Sequence, residues 1–235
     1  EMCIRDSHKT DEVEENSKKA FKINAEVPKI MAADAKIKNA VLFHVSTDYV
    51  FGLNEQKKLL TEESAPGPLN VYGSSKLMGE NLIKSITSNH YILRVASLFG
   101  IAGASGKGGN FVEAIISKAK KNEEIRVVDD QVMSPTSTDF IAEVILFMIN
   151  NCSDFGTYNV VNKGEVSWYE FASEIMRNLN FKKKIEKISS SSLSLKAARP
   201  SYSALSTRKI ESLGLEVPSY QDSLRKYLRS KGHMQ

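Results

Sequence analysis

The chain has 235 residues, 41% of them hydrophobic, with 32 basic against 28 acidic side chains and a net charge of +4. That length suggests one or two domains with a real core, and so slight a positive excess favours anionic ligands only weakly and does not call for nucleic acid. No run approaches the roughly 18 apolar residues of a membrane span, the start lacks a secretory hydrophobic region, and two cysteines, Cys3 and Cys152, give no disulfide framework; together these fit a soluble protein of a reducing cytoplasm.

Residues 1–8 read as a non-native or unstructured start. Asp11 to Asn24 follows as a polar helix that turns apolar at Ala20, Phe21 and Ile23. Pro28 opens a second helix at its first turn, where a missing N–H is harmless, with Ile30, Met31, Ala33 and Ile37 as the expected buried stripe. Val41 to Val45 is mostly apolar and ends in Ser46, Thr47 and Asp48, the pattern of a buried parallel strand that delivers hydroxyls to its carboxyl end, where open α/β sheets bind ligands. Tyr72 and Lys76 are four apart at the start of the next helix and so share one face. A strand-end Thr and a helical Tyr/Lys pair can surround one carbonyl. If that ketone accepts hydride, the alkoxide needs a proton. Tyr72 is the candidate donor, Lys76 the charge that tunes a phenol of pKa about 10, and Thr47 a second partner for the oxygen. A second Tyr-x-x-x-Lys, Tyr227 and Lys231, lies in a charged helix with no strand-end hydroxyls before it and is expected to be a solvated decoy.

Tyr91 to Leu98 reads as a strand, followed by Gly100-x-x-Gly103-x-x-Gly106 and a second strand at Ile125 to Val128 ending in Asp129 and Asp130. That is the outline of a dinucleotide site, but Gly108 and Gly109 delay the helix to Asn110, so no helix N-terminus would face a pyrophosphate; a loop over the substrate is expected instead. Lys107 followed by Gly108 excludes a Walker loop. Beyond it come a helix from Asn110, a turn at Ser134-Pro135-Thr136, a helix to Asn150 capped by Thr138 or Asp139, a strand at Gly156 to Val161, a helix from Val166 to Leu179 with Trp168 and Phe171 inward, a basic edge strand at Lys182 to Lys187 and a flexible Ser189–Ser194 connection. Thr207 is expected to cap a short helix, and Tyr220 to Ser230 is the last one. No His pair has metal-ligand spacing, and His44 within the apolar strand is expected to be a satisfied core residue.

Ser46-Thr47-Asp48-Tyr49-Val50-Phe51-Gly52, then Pro68-Leu69-Asn70-Val71-Tyr72-Gly73-x-x-Lys76-x-x-Gly79-Glu80, Arg94, Gly109-Asn110-Phe111, Asp130-Gln131-x-x-Ser134-Pro135-Thr136 and Arg199-Pro200 resemble the extended short-chain dehydrogenase/reductases, specifically the dTDP-4-dehydrorhamnose reductases. The resemblance runs from about Asp11 to the last helix. It implies Thr47, Tyr72 and Lys76 as catalytic residues, Asn24, Ser46, Tyr72, Lys76 and Arg94 beside an NADP or NAD cofactor, and Asp48, Tyr49, Asn110, Pro135, Thr136 and Arg199 beside a nucleotide-sugar. Asn24 either supports the Lys or is an ordinary helix-end residue, the Ser-Pro-Thr stretch either borders the cleft or is a plain turn, and Arg199 either forks onto a phosphate or anchors its loop.

The fold implied is α/β: a partial doubly wound, Rossmann-like parallel sheet lacking its first βα units, roughly 60 residues, with a smaller C-terminal α/β substrate lobe. Residues 9–130 would form the Rossmann-like part with the catalytic residues, and 131–235 mainly the substrate lobe, with some chain returning. Reduction of the 4-keto group of a dTDP-4-keto-6-deoxy-sugar is the implied reaction, this chain itself being inactive without the missing units. The alternatives are a non-catalytic dinucleotide- or partner-binding subunit, or a sugar-nucleotide epimerase or dehydratase. No metal, nucleic acid or membrane is expected, and a homodimer stays open.

Overall fold

The computed structural model describes residues 10–53, 57–102, 109–151 and 154–234. A helical run opens it: α1 (Thr10–Glu15), α2 (Ser17–Phe21), a π-helical segment (Lys22–Glu26) and α3 (Val27–Ile37). After it come β1 (Leu42–Thr47), a 3-10 turn (Asp48–Val50), α4 (Val71–Ile86) and β2 (His90–Val95). With β7 (Gly156–Asn159), β1 and β2 form a parallel sheet in the order β1-β2-β7. All six residues of β2, its central strand, are buried.

Alternation along β2 builds two layers, because successive side chains leave a strand on opposite faces. Tyr91, Leu93 and Val95 join Phe140, Val144 and Met148 of α6 (Thr138–Asn151). Ile92 faces the other way, to Ala32 and Ile83 on α3 and α4, and Arg94 bonds Glu80 of α4. Helices on both faces of a parallel sheet make this a doubly wound, Rossmann-like fold.

The rest forms a smaller α/β lobe of short strands: β3 (Leu98–Phe99) with β6 (Thr136–Ser137), β4 (Arg126–Val128) with β9 (Glu186–Ile188), and β5 (Val132–Met133) with β8 (Val166–Ser167). Its core gathers Val112 and Ile116 of α5 (Phe111–Lys120), Phe171 and Ile175 of α7 (Trp168–Asn178) and Leu224 and Leu228 of α9 (Tyr220–Ser230). A short α8 (Arg208–Glu211) packs Ile210 back onto the first sheet's core.

Several expectations are corrected. On α3 the buried residues are Pro28 and Ala32, while Ile30 and Ile37 are 66% and 84% exposed; two residues turn a helix by about 200°, so the small side chains face α4 and the large ones face out. The α6 cap is Ser137, whose Oγ accepts from Phe140 N at 3.1 Å, not Thr138 or Asp139. Thr207 makes no cap bond; its hydroxyl donates to Glu211. The exposed serines are fastened: Ser189 Oγ, Ser190 N and Ser190 Oγ all donate to Asp130. Tyr227 is buried, with its hydroxyl donating to Glu113 Oε1 at 2.5 Å and accepting from Asn110 at 3.1 Å, so only Lys231 of the decoy pair is solvated. His44 is not satisfied either: its Nε2 is buried without a hydrogen-bond partner, and burial first, then the Lys76 charge, pushes the imidazole down to about 3.

Candidate active site

Four elements converge on the carboxyl end of β1. The chain turns sharply at Thr47, whose Oγ1 accepts from Tyr49 N at 3.2 Å and donates to Asp48 Oδ1 at 3.1 Å. Asn70 starts α4 beside this turn. Its Oδ1 accepts from Gly73 N at 2.8 Å as an N-cap, and its Nδ2 donates to the Ala198 carbonyl at 2.8 Å, tying the helix start to the second lobe. The Val71 N–H is satisfied from a third direction, by Glu14 of α1 at 3.0 Å.

Two glycines set how closely α4 approaches. A Cβ on Gly73 would lie 2.1 Å from the Tyr49 carbonyl oxygen, and one on Gly79 would lie 2.1 Å from the Asn24 carbonyl oxygen. Neither position admits a side chain without a shift. Tyr72 thereby lies against the turn after β1, its ring edge-on to Tyr49 with centroids 6.0 Å apart. One helical turn on, Lys76 is buried and donates from Nζ to the Val45 carbonyl of β1 at 2.6 Å. Thr47, Tyr72 and Lys76 are thus gathered at one strand end.

Asn24 reaches the same helix from the π-helical segment, a geometry often found at functional sites. Its Nδ2 donates to Ser75 Oγ at 3.0 Å, and its buried Oδ1 has no hydrogen-bond partner, a group that costs free energy unless something meets it.

Ser46 and Arg94 meet at Glu80. Ser46 Oγ donates to Glu80 Oε1 at 2.6 Å, while Arg94 Nε and Nη2 donate to the two Glu80 oxygens at 3.1 and 2.7 Å. All three side chains are buried and face one another inside the sheet–α4 layer, and Phe51 covers the guanidinium at 4.9 Å. Losing one member of such a pair costs about 3–5 kcal/mol, so this network sets the height of α4 on the sheet. Glu80 is the member that sequence reasoning quoted without a role.

Facing the second lobe, Asp48 is fully buried and accepts from Ser203 Oγ at 2.6 Å through Oδ2; burial pushes it up to about 6 against the pull of these hydrogen bonds. Tyr49 is pushed up to about 12, by burial first and then by the Asp48 charge. Arg199 forks onto Asp11, with Nη2 to Oδ2 at 2.9 Å and Nη1 to Oδ1 at 3.3 Å, and holds that carboxyl below its usual range; here it anchors its loop to α1. Asn110 caps α5 and holds the Gly100 carbonyl at 3.1 Å. Pro135 and Thr136 are buried, and the Thr136 hydroxyl bonds the Ser134 carbonyl. Residues 103–108 of the glycine run lie outside the described residues, and α5 starts only after Asn110. Ser203 went unnoticed in the sequence, because what marks it is its bond to Asp48, 155 positions away; Asn70 stood in the motif before Tyr72, but its tie to Ala198, 128 positions on, was not legible there.

Among the described residues no group of three or more His, Cys, Asp or Glu could hold a metal ion, and no helix is long and apolar enough to cross a membrane. The RmlD substrate binding domain family matches residues 7–232. The spore coat polysaccharide biosynthesis protein SpsK of Bacillus subtilis is 34% identical, over 94% of this chain and 75% of its own length, and the dTDP-4-dehydrorhamnose reductase of Escherichia coli is 31% identical over 93% and 75%. Among solved structures, a dTDP-4-dehydrorhamnose reductase of Clostridium acetobutylicum superposes with a TM-score of 0.88 at 36% identity, over 96% of this chain and 78% of that one. The Bacillus anthracis enzyme in complex with NADP does so with 0.88 at 34%, over 95% and 77%. Matched over nearly its whole length, the chain belongs to the dTDP-4-dehydrorhamnose reductase family, a family of NAD(P)H-dependent oxidoreductases.

Proposed function

We propose that the chain provides the proton donor and the substrate side of a reductase that converts the 4-keto group of a dTDP-4-keto-6-deoxy-sugar to an alcohol, dTDP-4-dehydrorhamnose to dTDP-rhamnose. The observation that carries this reading is Lys76 held to the Val45 carbonyl beneath Tyr72 at the end of β1. A binding module has no need of a phenol and an ammonium fixed one helical turn apart beside a strand-end hydroxyl.

Tyr72 gives its proton to the oxygen that becomes the alkoxide. Lys76 stands a turn below, where its positive charge stabilises the phenolate left behind, and its bond to the strand keeps it from swinging away. Thr47 shares the hydrogen bond to the same oxygen. The residues present fit the nicotinamide end of a dinucleotide, which supplies the hydride when bound: Asn24, with its unmet buried acceptor, and Tyr72 and Lys76 would hold it. Ser46 and Arg94 serve that end by fixing α4 through Glu80. Asp48, Tyr49 and Arg199 form the sugar-nucleotide side next to Asp11, with Asn110, Pro135 and Thr136 shaping the far wall.

The test is Tyr72→Phe in a protein that also carries a dinucleotide-binding segment. Turnover should fall by at least ~100-fold, the usual scale for a lost general acid, with cofactor affinity nearly unchanged. Turnover like the wild type would remove Tyr72 from this role.

A further inference from the structure

Thr47 has one proton to give, and the structure aims it at a carboxylate. While Asp48 is ionised it can only accept, so the Thr47 proton is held at Asp48 Oδ1 and the hydroxyl can meet a ligand oxygen only as an acceptor. Ser203 completes the arrangement from the far lobe: its Oγ donates to Oδ2 at 2.6 Å, while its backbone N–H is fixed on the Val132 carbonyl at 2.9 Å. With the Ser203 hydroxyl on Oδ2, we assign a proton added to Asp48 to Oδ1, the oxygen that faces Thr47. That proton is then donated to Thr47 Oγ1, and the Thr47 hydrogen turns outward.

We propose that Asp48, held by Ser203, is a positioning residue that sets the direction of the Thr47 hydroxyl: the protonated acid makes Thr47 a donor to a ligand carbonyl, and the carboxylate makes it an acceptor from a ligand alcohol. The inference rests on the reading of Thr47, Tyr72 and Lys76 as the ketone site and adds a discrimination between the two oxidation states of the sugar. The proton is exchanged with solvent, and no bond to the ligand is made or broken by the switch.

The surroundings put this titration in a usable range, since burial lifts Asp48 to about 6. Among the described residues, the Ser203 and Thr47 hydroxyls and the backbone N–H groups of Asp48 and Tyr49 bond it and favour the carboxylate, and the Tyr49 ring stands beside it. The charges farther out belong to neighbouring elements: Arg199 and Asp11 act on Tyr49, and Lys76 of α4 is held by the Val45 carbonyl. A hydrogen bond from Ser203 favours the carboxylate, so removing it must move the titration upward.

The experiment has two arms. In the 235-residue chain, carbon-13 detection of the Asp48 carboxyl should show a midpoint near 6, raised by about one unit in Ser203→Ala and restored in Ser203→Thr. In a protein that also carries a dinucleotide-binding segment, KM for the ketone should rise as pH passes that midpoint, the rise should move with it in Ser203→Ala, and Asp48→Asn, whose amide can donate to Thr47, should flatten it. A loss of structure alone would lower kcat without moving a pH midpoint. If Asp48→Asn fails to fold, the two Ser203 variants carry the test. A midpoint near 4, the ordinary aspartate value, or a KM profile that Ser203→Ala leaves in place, overturns the proposal. Normal turnover in Tyr72→Phe would instead overturn the assignment of the ketone site, a result the carboxyl titration does not depend on.

Discussion

At the scale of single residues, the two Tyr-x-x-x-Lys pairs show why spacing alone does not make a site. Both put a phenol and an ammonium one turn apart, but Lys76 is buried on a strand carbonyl while Lys231 is exposed and reaches the Ile101 carbonyl at 3.3 Å. In a protein that also carries a dinucleotide-binding segment, Lys231→Ala should leave turnover unchanged, and in the chain itself stability within a few tenths of a kcal/mol, as for an exposed helical side chain. Tyr227→Phe should cost about 1–2 kcal/mol in urea unfolding, since Glu113 and Asn110 lose a buried partner. Equal effects in the two variants would contradict the placement of Tyr227 in the lobe core. The motif containing Thr47, Tyr72 and Lys76 was legible because all its members fall within one strand, one turn and one helix. The partners of Arg94 and Arg199 were not, although loop anchoring was one of the two readings of Arg199, since each guanidinium is claimed by a carboxylate, Glu80 or Asp11, that only the fold brings near.

At the scale of elements, the geometry of the candidate site depends on how α4 sits on β1. Gly73 admits the Tyr49 carbonyl where any Cβ would collide, so Gly73→Ala should displace the helix start by a substantial fraction of an ångström. Ala favours a helix over Gly by about 1 kcal/mol, so helical content should be kept while turnover drops by roughly 100-fold, the scale of a misplacement of about 1 Å. Circular dichroism on the chain, and kinetics in a protein that also carries a dinucleotide-binding segment, decide it; full activity would show that the turn yields without consequence. Most elements were legible from periodicity, as with β1, β2, α5 and α9. The stripe on α3 was misread because periodicity marks which residues share a face and not which face is covered. Pro28 and Ala32 are the buried ones, and Ala32 packs on Ile83 of α4.

At the scale of the molecule, the chain corresponds to about three quarters of the length of the relatives it matches, and β1 forms one edge of the three-stranded sheet. Val41 and Val45 on that edge, with Ile30 and Ile37 on α3, are exposed apolar side chains. In folds of this type pyrophosphate is held by a helix N-terminus and the N–H groups of a glycine turn, and α5 begins beyond its glycines, at an Asn110 whose side chain is spent on capping. On these described elements the 235-residue chain is expected to bind NADPH and NADH only weakly, and to self-associate through the edge of β1. Calorimetric titration with each dinucleotide checks the first point and sedimentation the second. Micromolar binding would promote the stretch from Gly100 to Gly106 to the cofactor site.

The clamp between α1 and the Lys196–Arg199 stretch also has a kinetic meaning. Asp11 accepts from Lys196 N and Ala197 N as well as from Arg199, across sequence separations of 185 to 188 residues. Contacts so distant along the chain close large loops and form slowly compared with local ones. The single Trp168 reports on α5 and α7, whose rings meet at Phe111 with centroids 4.6 Å apart. Its fluorescence should recover early in refolding, while the amides of Lys196 and Ala197 gain exchange protection late, so that a freshly made molecule passes through a state with a finished lobe and an open, chemically silent strand end.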